Sequence, residues 1–207
     1  MIKNKFSIFK IFLILGSIFL YSFIKSNNSI KIENSDSSTQ EIKISFNRFV
    51  KTFLKEYDTI KFDEETSYTG KNLNETDFTW TKKIHFKKKT YFLDEEGKKY
   101  FKRFSLICFS YKDSLSCDKA FDSYLQNYGS MGIPIKRNVN FKSFQSPPIY
   151  TIVSKNQIFV LNIHCEYIKN DDEWPSIILK LRDFVDEFYV RLFELECGCG
   201  GPINWRK

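Results

Sequence analysis

The chain reads as an α+β domain: an antiparallel sheet of two hairpin–helix units with an additional N-terminal helix, preceded by a membrane or signal segment. Three observations predict this. Two pairs of β-patterned runs are each joined by a short turn and followed by a helical stripe. A further helical stripe precedes both pairs, and this repeat of elements suggests an antiparallel sheet with helices on one or both faces. The 207 residues also include 22 phenylalanines and 11 tyrosines, enough aromatic volume to fill one core.

The first segment opens with Lys3 and Lys5 and then turns apolar. Its uncharged run from Ile11 to Ile24 has 14 residues, the length of a signal-peptide core. Extended back to Phe6 it has 19 residues, about 28 Å of helix against roughly 30 Å of hydrocarbon. Lys10 lies near the end of that span, where its stem can carry the charge to the headgroups. No pair of small residues suited to signal cleavage follows Tyr21, and no cysteine follows the run to carry a lipid. Residues 1–25 are therefore expected to be a signal-anchor, with a cleaved signal peptide as the alternative. The lysines ahead of the run put the N-terminus in the cytoplasm. The body is then membrane-anchored outside the cytoplasm, or secreted or periplasmic if the segment is removed. Residues 26–40 are rich in Ser, Asn, Asp and Glu and read as a flexible polar tether. That leaves 41–207 as a single exported α+β domain.

Within it, Ile42, Phe46, Phe49, Val50, Phe53, Leu54 and Tyr57 recur at helical spacing and predict a helix from Glu41 to Tyr57. Asp58 to Glu75 is polar and reads as loop. In "DFTWTKKIHF" the residues Phe78, Trp80, Lys82, Ile84 and Phe86 share one parity, so a strand is expected. "DEEGK" is a turn signal, and "YFKRFSLICFSY" is apolar on both parities, as in a strand covered on both faces. Asp113 or Ser114 caps a second helix with Cys117, Ala120, Phe121, Tyr124, Leu125 and Tyr128 as its stripe and Gly129 as its stop. "PPIYTIVS" and "QIFVLNIHCEY" flank a Lys155-Asn156 turn. Asp171 and Asp172 precede Pro175 at the start of a third helix. Ile178, Leu181, Val185, Phe188 and Leu192 carry that helix to about Glu194, where the glycines of "CGCGGP" end it.

The net charge of +7 is concentrated in one stretch. Lys82, Lys83, Lys87, Lys88, Lys89, Lys98, Lys99, Lys102 and Arg103 stand against three carboxylates, Asp94, Glu95 and Glu96. With Trp80, Phe86, Tyr91 and Phe92 interleaved, this stretch is the candidate contact for an anionic envelope surface or an acidic protein partner. Nucleic acid is not an expected partner of an exported domain.

Five cysteines in an exported chain point to disulfides, and the odd number leaves at least one thiol unpaired. Cys108 falls in the doubly covered strand, Cys117 on a helical stripe, and Cys165 on the apolar parity of its strand. A Cys108–Cys117 bridge would close a short loop between strand and helix. The pliable glycines around Cys197 and Cys199 point to an exposed pair. Cys165 is the preferred partner for one of them, and the obstacle is a third helix long enough to carry the tail away from it. A local Cys197–Cys199 ring, or a link to Cys108 or Cys117, is the alternative.

Cofactor chemistry finds little footing. Zinc is best held by two clustered pairs of ligands, and the chain has one. His164 and Cys165 are strand neighbours pointing to opposite faces. The CxC spacing is not that of a thioredoxin-like motif, and the body is too poor in glycine for a phosphate-cradling loop. His85 and His164 are the only histidines. His164 shares a face with Asn162 and Glu166, but no nucleophile stands beside it in sequence. Asp186 and Glu187 fall on the wet side of their helix. The expected function is thus a non-catalytic binding or structural role at the cell envelope, without a cofactor. The alternative is an extracytoplasmic enzyme or thiol/metal-binding protein using Cys197, Cys199 or His164.

Overall fold

The computed structural model describes residues 40–61, 72–93, 96–128, 133–144, 146–165 and 173–206. The segment and most of the tether expected over residues 1–40 fall outside them, as do Gly129, Glu166, Asp171 and Asp172. Among the described residues no helix is long and apolar enough to cross a membrane.

The chain divides into two units, Met1–Ile44 and Ser45–Lys207. The second holds a seven-stranded, wholly antiparallel sheet. Its strands are β1 (Tyr57–Ile60), β2 (Trp80–Lys88), β5 (Arg103–Ser110), β6 (Ile149–Ser154), β7 (Gln157–Ile163), β8 (Arg191–Cys197) and β9 (Ile203–Arg206), in the spatial order β1-β2-β5-β7-β6-β8-β9. A two-stranded ribbon of β3 (Phe92–Leu93) and β4 (Lys99–Tyr100) branches from the β2–β5 connection. Three helices, α1 (residues 40–53), α2 (Ser114–Gln126) and α3 (Glu173–Phe188), complete the α+β architecture.

Side-chain alternation divides the core into two layers. Phe104, Leu106 and Cys108 of β5, with Phe159, Leu161 and Ile163 of β7, meet α1 and α3 on one face. Ile107 and Phe109, with Ile158 and Val160, meet α2 on the other. This double cover explains why β5 is apolar on both parities, with every residue after Arg103 buried. Aromatic packing fills the first layer: Phe49 stacks on Phe184 at 4.4 Å, and Phe53 lies 5.3 Å from both Phe86 and Phe104. Asp113 caps α2, its carboxylate accepting from the Ser116 amide at 2.7 Å.

Several boundaries differ from the sequence reading; strand β7 ends at Ile163, so Cys165 lies past the strand expected to carry it. The first helix ends at residue 53, and Tyr57 opens strand β1 instead of closing the helix. Either conformation buries Tyr57, and here its ring packs on Phe104 at 5.1 Å. The residues after it are therefore not all loop: besides β1, a short 3-10 turn covers Asn72–Glu75. The larger correction lies at the third helix, which stops at Phe188 rather than near Glu194. Leu192 continues the helical spacing, but "RLFELEC" alternates as well. Phe193, Leu195 and Cys197 turn to the α2 layer while β8 pairs with β6. The tail beyond is a strand, β9, paired to β8.

The outer edge of β9 is closed by its own chain. Phe141 and Ile203 exchange backbone hydrogen bonds at 3.1 and 2.8 Å, and Asn140 Oδ1 accepts from the Trp205 amide at 3.1 Å. That return depends on Gly201, which has φ +94° and whose missing Cβ would stand 2.5 Å from the Phe144 nitrogen. Gly201→Ala is therefore expected to destabilise by at least about 1–2 kcal/mol. The measurement is the urea midpoint, and an unchanged midpoint would remove this role from the glycine.

Candidate functional site

The nine cations of the basic stretch do not form one surface. Lys88 and Lys102 turn inward to Glu173, the first residue of α3, which also accepts from the Tyr57 hydroxyl at 2.6 Å. Lys102 Nζ donates to Glu173 Oε2 at 2.9 Å, and the Lys88 ammonium to Oε1. Burial alone would raise the Glu173 carboxyl, but the donors from Lys88, Tyr57 and Lys102 outweigh it and hold the pKa near about 2. This cluster ties β1, β2 and the start of β5 to α3. Lys89 is likewise engaged, donating to the Leu54 carbonyl at 2.8 Å.

A depressed folded pKa means that this carboxylate stabilises the protein above its unfolded pKa of about 4.3. That contribution is lost as the pH falls from there toward about 2. Glu173→Gln is expected to flatten that acid limb, a change readable in urea midpoints between pH 5 and pH 2 (roughly the window the shift spans).

Of the remaining cations, Lys87, Lys98, Lys99 and Arg103 lie around the end of β2, the start of β5 and the β3–β4 ribbon, whereas Lys82 and Lys83 sit near the start of β2, opposite Cys108 and Ile107 of β5. Three of them sit over aromatic rings: Lys87 over Phe101 at 4.0 Å, Lys99 over Tyr91 at 4.5 Å and Lys98 over Tyr100 at 5.4 Å. Lys82 and Arg103 are exposed, and Lys83 is half-buried. Ring stacking limits the conformations of a lysine that would otherwise be free, so part of the ordering cost of an ionic contact is met in advance.

The cysteines sort differently. Cys165, just past β7, and Cys199, in the turn between β8 and β9, stand at disulfide distance with Cα atoms 5.5 Å apart. The early end of α3 removes the obstacle to this pair, since the chain returns along β8 beside β6. Cys108 and Cys117 are separate, buried thiols. Cys108 faces the α1–α3 layer and Cys117 the α2 layer, with the sheet between them. Cys197, expected at the surface, is buried at the end of β8, because the strand alternation carries it into the α2 layer beside Leu195 and Ile203. Burial raises all three thiols, Cys117 to about 12 and Cys197 to about 11, so they are protonated at neutral pH.

The histidines do not meet. His85 Nδ1 lies 2.6 Å from the Ser105 hydroxyl on β5. His164 is exposed beyond the end of β7. Asp186 is exposed on α3 and pairs with Arg191 at 3.2 Å. Among the described residues no group of three or more His, Cys, Asp and Glu side chains is placed to hold a metal ion.

One cluster was not foreseen from sequence. Glu194 of β8, 3% exposed, receives both arms of the Arg182 guanidinium at 2.9 and 2.8 Å. It also pairs with Arg191. Once "RLFELEC" is read as a strand, Glu194 falls on the parity opposite Phe193 and Leu195, facing α3, and a buried carboxylate there demands a cation.

No family model, curated protein or solved structure matches this chain.

Proposed function

We propose that this chain is a membrane-tethered domain displayed outside the cytoplasm, with a binding role and no catalytic centre, and that its surface cations meet an anionic surface. The division of the basic stretch carries the reading. Lys88 and Lys102 are committed to Glu173, whereas Lys87, Lys98 and Lys99 lie over surface rings, an arrangement suited to presenting positive charge in fixed positions. The N-terminal apolar run supports the tether, and the juxtaposed Cys165 and Cys199 support an oxidising compartment. The alternative thiol chemistry has less support, because burial keeps Cys197 protonated.

The test uses full-length protein in neutral nanodiscs and its association with phosphatidylserine vesicles. Binding should weaken as salt rises. Replacing Lys87, Lys98 and Lys99 together with glutamine should weaken it about tenfold to a hundredfold without moving the melting temperature. Lys88→Gln should instead lower the melting temperature. Equal vesicle binding by the triple variant and the parent would remove the surface cations from this role.

A further inference from the structure

The two ends of the sheet differ, and the difference assigns a second surface. The chain enters its larger unit at Ser45, whose hydroxyl is hydrogen-bonded to Tyr189 at 3.1 Å. The next residue, Phe46, packs on Trp80, the first residue of β2, at 5.7 Å. The Lys155-Asn156 turn lies at this same end, the Lys155 amide donating to the Val190 carbonyl at 3.2 Å. So does the start of α2, since the Tyr111 amide donates to the Asn156 carbonyl at 2.9 Å.

This entry end exposes large apolar side chains. Phe188, Val190 and Leu192 are 39%, 68% and 48% exposed, and Leu115, in the first turn of α2, is 62% exposed. Lys112 and Lys155 are exposed at the same end. The basic rings and the Glu173 cluster lie at the other end of β2, eight residues on, a distance of about 26 Å at roughly 3.3 Å per residue.

We infer that the entry end seats on a lipid bilayer, with Phe188, Val190, Leu192 and Leu115 in its interface. The inference rests on the proposed membrane tether. The occupant follows from the chain that precedes Ser45: it carries an apolar run of the length expected to enter a bilayer, and it joins the unit beside these side chains. Apolar groups beside lysines match the boundary between acyl chains and headgroups. Seated in this way, the domain holds Lys87, Lys98 and Lys99 away from its own membrane, facing whatever approaches from outside. Docking driven by apolar burial should persist at high salt, unlike binding at the basic end.

The experiment uses full-length protein in neutral phosphatidylcholine vesicles. A fluorophore is placed at Val190→Cys and, as the distal reference, at Lys98→Cys. Quenching by lipid-borne nitroxide, relative to a water-soluble quencher, should be at least about threefold greater at position 190 than at position 98. Leu192→Asp should reduce the value at 190 toward that at 98, while Leu192→Met should leave it high. Protein that sediments with the vesicles but gives equal quenching at both positions would overturn the docking and leave the tether standing. Protein that does not associate with the vesicles would overturn both. Crosslinking between two copies at position 190, with no lipid quenching, would assign the surface to a second copy and overturn the bilayer as its occupant.

Discussion

Arg182→Met is expected to lower the unfolding free energy by about 3–5 kcal/mol, the cost of leaving one charge of a buried pair without its partner. Glu194 is 3% exposed, and Arg182 meets both of its oxygens at 2.9 and 2.8 Å. Burial alone would raise the Glu194 carboxyl, and the hydrogen bonds from Arg182 outweigh it, so the folded pKa lies below the ordinary carboxylate range. The carboxylate therefore stabilises the parent protein above about pH 4.3 and loses that effect as the pH falls. Without Arg182 burial raises the carboxyl, and a protonated Glu194 is tolerated. The deficit of the variant should thus be large at neutral pH and smaller near about pH 4. Arg191, which also reaches Glu194, places the loss at the lower end of the range. Adding Glu194→Leu should restore most of the stability, because two matched apolar side chains leave no charge behind. Urea unfolding of the single and double variants decides this. A double variant as unstable as Arg182→Met would show that packing of the arginine stem, not the buried charge, dominates.

Reduction of the Cys165–Cys199 pair should cost a similar amount. The two residues are 34 apart in sequence, and closing a loop of that size removes chain entropy worth about 4 kcal/mol from the unfolded state. The pair joins the end of β7 to the β8–β9 turn, whose return closes the edge of β9 through Phe141 and Ile203. Cys199 is exposed, so a mild reductant should reach it. Reductant should lower the melting temperature of the parent. Cys165→Ser should lower it by the same amount without reductant, and reductant should then have no further effect. A parent protein whose melting is indifferent to reductant would mean that the juxtaposed thiols are not bonded.

Much of the fold is readable where a single periodicity prevails. The stripe from Cys117 to Leu125 is compatible only with a helix, and the runs around the Lys155-Asn156 turn only with strands. Reading fails where two periods fit the same residues. From Phe188 to Glu194 the helical spacing of Phe188 and Leu192 competes with the alternation of Phe193, Leu195 and Cys197. Pairing with β6 decides for the strand, and no local pattern contains that partner. The misplaced boundary put Cys197 at the surface and hid Glu194. The preference for Cys165 as the tail's partner, drawn from the short polar loop that leads from its strand into the third helix, agrees with the geometry at Cys199, and the early end of that helix is what permits the approach. The basic stretch is plain in composition, yet which lysines face Glu173 and which lie over rings depends on register across β2, β5 and the β3–β4 ribbon. Composition carries no register.

The proposed placement of the domain outside the cytoplasm, held by its N-terminal segment, is checked by treating intact cells that carry a C-terminally tagged full-length chain with external protease, then washing their membranes in high salt. The tag should be cleaved in intact cells, and without protease the full-length protein should stay with the salt-washed membranes. A tag protected from protease until the cells are lysed, on a protein that washes free of the membrane, would contradict the placement.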